Sequence, residues 1–145
     1  MDSVDRNILS LLHENARMPI AEIGRKIAMT QPAVTERIRK LEEKGIIAGY
    51  KAILAPKKLG KDVTAFVLFK TNNCLDFQAF CSNSPDVIEL YRISGEYNFM
   101  MKIITASMES LTAFLDSCSP YGFSSTLIVL SAAIENKLII DDDGE

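Results

Sequence analysis

The sequence contains no tryptophan, a single histidine and only three cysteines in 145 residues. With His13 alone, no histidine metal cluster can form. Cys74, Cys81 and Cys118 are odd in number, widely spaced and without a CxxC pair, so they cannot all pair within one chain and they do not suggest a zinc site. None of them has a histidine neighbour in sequence. There is no GxSxG, no phosphate-cradling P-loop and no HExxH motif. These absences point away from an enzyme, a metal centre or a bound cofactor. No apolar run approaches the roughly 20 residues a membrane span needs. The acidic start Met1-Asp2-Ser3-Val4-Asp5 has no apolar stretch of the signal-peptide kind. The expectation is a reduced, cytoplasmic protein with no membrane partner.

What is present is enough apolar material, 48%, to build packed cores. The length suits one ordinary domain or two small ones. Charge is unevenly distributed. Residues 1–61 carry 12 Lys/Arg against 7 Asp/Glu, a balance of +5, and residues 62–145 carry 4 against 12, a balance of −8. Either nucleic-acid contact is confined to the first part or the charges cluster by chance.

Ala21 to Lys44 carries the clearest pattern. Ile23 and Ile27 share one helix face, and Val34, Ile38 and Leu41, at i, i+4 and i+7, share another. Thr30 is a suitable N-cap between them, and Pro32 falls within the first turn of the second helix. With Val34, Ile38 and Leu41 inward, Pro32, Glu36, Arg39, Lys40 and Glu43 face out, and Thr35 lies on the flank. A preceding helix over about Val4–Glu14 has the inner stripe Val4, Ile8, Leu11 and Leu12, widened by Leu9. Asp2 or Ser3 can cap it. Asn15 to Met18 connects, Pro19 opens the second helix, and the third runs from Gln31 to about Lys44 and stops at Gly45. Ile46 to Leu54 reads as a short hairpin or a single extended segment around Gly49. This is the plan of a winged helix-turn-helix DNA reader over residues 1–54.

A reader helix enters the major groove of double-stranded DNA N-terminal end first. That selects Gln31, Pro32, Thr35, Glu36 and Arg39 for base edges: Gln can pair adenine, Arg can pair guanine and Glu can accept from cytosine. Arg25, Lys26, Lys40, Lys44 and Lys51 are better placed for phosphate, which sets register without reading sequence. Two alternatives stay open. Arg37 is either a DNA contact or half of an internal salt bridge, and Glu36 can equally pair with Lys40.

Residues 55–62, with Pro56-Lys57-Lys58-Leu59-Gly60-Lys61, read as a basic hinge or a plain surface turn. Beyond them, strands are expected at Val63–Thr71, Val87–Ser94, Phe99–Thr105 and Thr126–Ala132. Helices are expected at Leu75–Asn83, with Phe77, Phe80 and Cys81 inward, and after Ser107, with the stripe Met108, Leu111, Leu115 and Cys118. Ile134 to Ile140 add an extended tail before the acidic end Asp141-Asp142-Asp143. The order β-α-β-β-α-β over residues 63–145 is a ferredoxin-like plait, an antiparallel sheet with two helices on one face. The expected class is therefore α+β. The strands carry large apolar residues on both faces, so the face without helices should cover itself with a second copy. A two-fold homodimer would also present two readers to two half-sites.

Together the residues resemble the Lrp/AsnC (feast/famine) family of transcriptional regulators, LrpC-like branch. The likeness rests on Asp5-x-x-Ile8-Leu9, Arg17, Ile23-Gly24, Val34-Thr35-Glu36-Arg37-Ile38, Leu41-Glu42, Gly45-Ile46-Ile47 and Leu59-Gly60 in the first part. In the second it rests on Tyr91–Lys102 and the Ser119-Pro120-Tyr121 run. The resemblance implies a sequence-specific regulator in bacterial or archaeal cytoplasm, associated with the nucleoid. It implies dimers that build tetramers or octamers, and an amino-acid effector between dimers. By position the effector site would be Gly95, Glu96, Tyr97 and Asn98 with Ser124 and Thr126. Glu96 and Asn98 stand where many members carry aspartates, and Ala28-Met29-Thr30 lacks the glycine common in that turn. Wrapping members of the family suggest an alternative, an architectural DNA-binding protein with little sequence preference and no effector.

Overall fold

The computed structural model describes residues 1–140, so the acidic end Asp141-Asp142-Asp143 lies outside the described residues. The chain divides into two compact units, Leu54–Ala133 and the residues on either side of it, Met1–Ile53 with the described chain from Ile134. The extended tail, expected with the second domain, thus groups with the first.

In the first unit, three helices enclose a small apolar core: α1 (Ser3–Glu14), α2 (Ile20–Lys26) and α3 (Gln31–Glu43). Asp2 caps α1 by accepting from the Asp5 amide, and Asp5 accepts in return from the Asp2 amide, a capping box. The α1 stripe is anchored by Ile8, which meets Ile23 of α2 and Val34, Ile38 and Leu41 of α3 in one buried cluster. Met18, expected only as connector, is buried there too. The connector folds back because the Asn15 side chain accepts from the Arg17 amide and its carbonyl accepts from the Met18 amide. At the end of α3, Gly45 takes a left-handed φ of 68°. The Ile46 amide then donates to the Leu41 carbonyl and the Gly45 amide to that of Glu42, a Schellman stop.

Of the two readings of residues 46–54 the structure does not take the hairpin: the segment forms no strand and has no ladder partner among the described residues. Gly49 interrupts it, and Tyr50 is tied to α3 instead, its hydroxyl donating to Glu42 at 2.8 Å. The basic segment expected as a hinge is a 3-10 turn, Pro56–Leu59, ended by Gly60 at φ 72° and counted in the second unit. Lys61 holds it there through Asp86 at 2.6 Å, and Asp86 also accepts from the Thr105 hydroxyl.

The second unit contains β1 (Val63–Lys70), α4 (Cys74–Asn83), β2 (Val87–Arg92), β3 (Phe99–Thr105), α5 (Met108–Cys118) and β4 (Phe123–Ile128). The sheet is antiparallel in the order β2-β3-β1-β4, the ferredoxin-like plait. Ala65, Val67 and Phe69 alternate with Phe66 and Leu68, and the register puts Phe99, Met101 and Ile103 on the first face. That face is sealed by Phe77 and Cys81 of α4 and by Leu111 and Cys118 of α5. Phe69 and Phe77 stack with ring centroids 4.1 Å apart, and Phe99 tilts onto Phe77 at 5.3 Å.

The last strand sits earlier than its composition suggested, at Phe123–Ile128. The close approach of Gly122 explains this: a Cβ there would lie 2.0 Å from the Lys70 carbonyl, so only glycine can lead the chain into the edge of β1. Met108, expected inward, is half exposed at the first turn of α5.

Burial raises the Cys81 thiol to about 11. Burial, with Cys81 nearby, raises that of Cys118 to about 12. Only Cys74 is partly exposed. Titration of the native protein with a thiol-reactive dye should therefore label Cys74 alone, with Cys81 and Cys118 reacting only after unfolding.

Candidate functional site

The helix-turn-helix geometry begins at Gly24. A Cβ on Gly24 would meet the Met29 carbonyl at 2.6 Å, so α2 and the following turn can approach this closely only because the side chain is absent. The Met29 amide returns a hydrogen bond to the Gly24 carbonyl at 2.8 Å. Ala28 absorbs the reversal at φ 55°, a left-handed conformation that costs a residue with a Cβ about 1–2 kcal/mol. Thr30 occupies the N-cap position of α3, but its side chain makes no capping bond; Pro32 in the first turn needs no amide partner.

With Val34, Ile38 and Leu41 buried, Gln31, Pro32, Thr35, Glu36, Arg39 and Lys40 are all exposed on the outer side of α3, as are Arg25 and Lys26 of α2. The structure thus brings the expected base-reading residues onto one accessible surface. Their hydrogen bonds differ from expectation in detail. The Thr35 hydroxyl donates back to the Gln31 carbonyl at 2.9 Å. Glu36 is not a free acceptor. Both of its oxygens are held by Arg39, from Nε at 2.9 Å and from Nη2 at 2.7 Å, with Lys40 at 3.5 Å. The Arg39 guanidinium holds the Glu36 carboxyl down to about 2. Arg39 also donates to Glu43.

Of the two readings of Arg37, the structure takes the internal one. Nη1 donates to Asp2 at 2.8 Å and to Asp5 at 2.7 Å. The backbone amide of Asp5, then Arg37, hold the Asp2 carboxyl below its usual value. Arg37 therefore fastens α3 to the capping box of α1. The signal in the sequence was the pair of carboxylates Asp2 and Asp5, three residues apart at the start of α1.

In the second unit, the turn after β2 contains Gly95 at φ 112° and closes with the Ile93 amide on the Asn98 carbonyl at 3.0 Å. Asn98 is committed to the scaffold. Its Oδ1 accepts from the Thr71 amide at 3.0 Å, its Nδ2 donates to the Thr71 carbonyl at 2.8 Å, and its own amide donates to Phe69. Glu96 is exposed and Tyr97 half-buried. Ser124 pairs with Phe69 and Thr126 with Val67, so both hydroxyls lie on the helix-side face of edge strand β4, separated from the turn by β1. Thr71, missed from sequence, is the hub of this end of the sheet: its hydroxyl donates to the Tyr121 carbonyl and accepts from the Asn73 amide.

Residues 1–42 match the family model for an AsnC-type helix-turn-helix domain, and residues 64–139 match that for an Lrp/AsnC ligand binding domain. The chain belongs to the Lrp/AsnC family. Its sequence is 41% identical over 133 residues to YezC, an uncharacterised HTH-type transcriptional regulator of Bacillus subtilis, covering 92% of this chain and 96% of that protein. It is 35% identical to LrpC, another HTH-type transcriptional regulator of Bacillus subtilis, over 90% of this chain and 92% of LrpC. The solved structure of LrpC superposes with a TM-score of 0.87, covering 94% of this chain and 99% of that one. A Neisseria meningitidis regulator solved with L-Met shares the fold at 22% identity and a TM-score of 0.86, over 93% of each chain. The relatives are transcriptional regulators, a non-enzymatic role. Among the described residues there is no cluster of metal-ligating side chains and no helix long and apolar enough to cross a membrane.

Two substitutions separate the demands of the turn. Ala28→Gly should raise stability by about 0.5–1 kcal/mol, since relief of the left-handed strain exceeds the added entropy of the unfolded chain. Gly24→Ala should cost about 1–3 kcal/mol by forcing α2 off the turn. Urea unfolding of the two variants measures both.

Proposed function

We propose that this Lrp/AsnC protein is a sequence-specific DNA-binding transcriptional regulator that acts as a homodimer or higher assembly and responds to an amino acid. The observation that carries the reading is the outer side of α3, where Gln31, Pro32, Thr35, Arg39 and Lys40 stand exposed over a buried stripe and behind a tight turn. Gln31 and Arg39 supply the adenine and guanine contacts, and Arg25, Lys26, Lys40, Lys44 and Lys51 the phosphate contacts. Selection of a duplex from a random-sequence pool, followed by gel shift, tests this. Arg39→Ala should lose about 1–3 kcal/mol of discrimination for the selected site, while wild-type affinity falls steeply with salt. A flat salt response, or an extended, phased, sequence-tolerant footprint, would overturn sequence-specific reading.

The second copy is supported by the sheet face away from α4 and α5. There Phe66 and Leu68 of β1, Met100 and Ile104 of β3, Tyr91 of β2 and Leu127 and Phe123 of β4 share one side by register. Phe123 is 81% exposed and Leu127 54%. A patch of this kind on a folded domain marks an interface, and the two-fold partner would bring a second reader.

The amino-acid reading is supported by the match to a ligand-binding domain model and by the L-Met bound to the regulator of the same fold. Gly95, Glu96, Tyr97, Asn98, Ser124 and Thr126 are its proposed site; because β1 separates the turn from the two hydroxyls within one chain, the turn of one copy and the hydroxyls of another would meet there at a contact between dimers. Asn98 serves there by shaping the turn, Glu96 supplies a carboxylate for the ligand's amino group, and Ser124 and Thr126 supply hydroxyls. Control then requires that the ligand bind two assembly states with different affinity. Sedimentation of wild type and Leu127→Lys, with each amino acid added in turn, checks both claims. Wild type should sediment as a dimer or larger, and Leu127→Lys should shift towards monomer. One amino acid should change the wild-type distribution.

A further inference from the structure

The cations proposed to meet DNA fall into two groups. Arg25, Lys26, Lys44 and Lys51 have no carboxylate within ion-pair distance among the described residues. The side chains on the outer turns of α3 are different. Arg39 lies between Glu36, three residues before it, and Glu43, four after it, and it binds both; Lys40 shares Glu36. The residue best suited to read a base is therefore held by two carboxylates, whereas of the five cations suited to phosphate only Lys40 has a carboxylate beside it among the described residues.

Three of the five guanidinium donors are occupied: the single N–H of Nε, one on Nη2 and one on Nη1. One N–H remains on each terminal nitrogen. Two donors are what the O6 and N7 acceptors of guanine require. A guanidinium in this state has its charge largely cancelled nearby. It gains little from a phosphate, which it would meet against the repulsion of Glu36 and Glu43. It gains fully from an edge that offers two acceptors in the right geometry, because its side chain is already fixed and loses little entropy on binding.

We infer that Glu36 and Glu43 are positioning residues for Arg39, which reduce binding to DNA in general and so increase discrimination for the selected site. The inference deepens the DNA-reading function proposed above and rests on it. Glu43 has no place in the base contacts assigned from sequence; its role is to hold Arg39 and to repel phosphate. Glu36 acts through Arg39 rather than by accepting from cytosine.

The test compares wild type, Glu43→Gln, Glu36→Gln and Glu43→Asp on two probes: the duplex that wild type selects from a random pool, and the unselected random duplex pool. Both positions are exposed, and Gln is a good helix former, so the Gln variants should fold as wild type does. Each Gln variant should bind the random pool about three- to tenfold more tightly and with a log–log salt slope steeper by about one, as one more cation becomes available to phosphate. For Glu43→Gln, which lies outside the assigned base contacts, affinity for the selected site should stay within about threefold, so the ratio between the two probes falls. Glu43→Asp, which keeps the charge, should leave the random-pool affinity near wild type. Equal changes on both probes, or an unchanged slope, would overturn the inference while leaving sequence-specific binding intact. Failure of wild type itself to bind DNA would overturn both.

Discussion

The position of the reader helix depends on a missing methyl group. At Gly24 the chain of the following turn passes so close to α2 that a Cβ would stand inside the Met29 carbonyl. Everything downstream inherits that contact. Ala28 must take a left-handed conformation to complete the reversal, α3 starts at Gln31 in the direction this leaves, and Val34 can then reach Ile8 and Ile23. Arg37 adds a second constraint by joining α3 to the capping box of α1. An orientation fixed at the two ends of a short segment, by van der Waals exclusion and by charge, is what a rigid reading surface needs.

The second unit rests on an asymmetry instead. One face of its sheet is filled by aromatic side chains and two helices, and the other presents Phe66, Leu68 and Met100, half-buried, and Leu127, exposed, with no helix over them among the described residues. Both faces of β1 are apolar, Ala65, Val67 and Phe69 on one and Phe66 and Leu68 on the other, so its pattern exceeds what the core alone requires. The charge balance of this part of the chain is acidic and that of the helical part basic, which favours the helices as the proposed DNA contact.

Helix periodicity made α1, α2 and α3 legible almost to the residue, because each has a narrow apolar stripe and a clear stop. The plait was legible in its order, since turn signals at Ser84-Pro85, Gly95 and Ser119-Pro120 separate the strands. Three features were not. Residues 46–54 look like strand because Ile and Tyr favour extended backbone, yet composition does not supply a ladder partner. The start of β4 is set by a close approach at Gly122, which depends on a carbonyl fifty residues away in sequence. Spacing offers Glu36 to Arg39 at i, i+3 and to Lys40 at i, i+4 without ranking them; in the structure Glu36 serves both, and the two bonds from Arg39 make that pairing the stronger.

Asn98 behaves as a strand residue supplied by a side chain. Its amide offers Thr71 one donor and one acceptor, as a backbone neighbour would, and Thr71 in turn holds the Tyr121 carbonyl just before the edge strand. The turn at Gly95, the end of β1 and the entry to β4 are thereby fastened in series. Loss of the Asn98 side chain would therefore leave the Thr71 amide and carbonyl unpaired and so bear on all three at once, not on one loop.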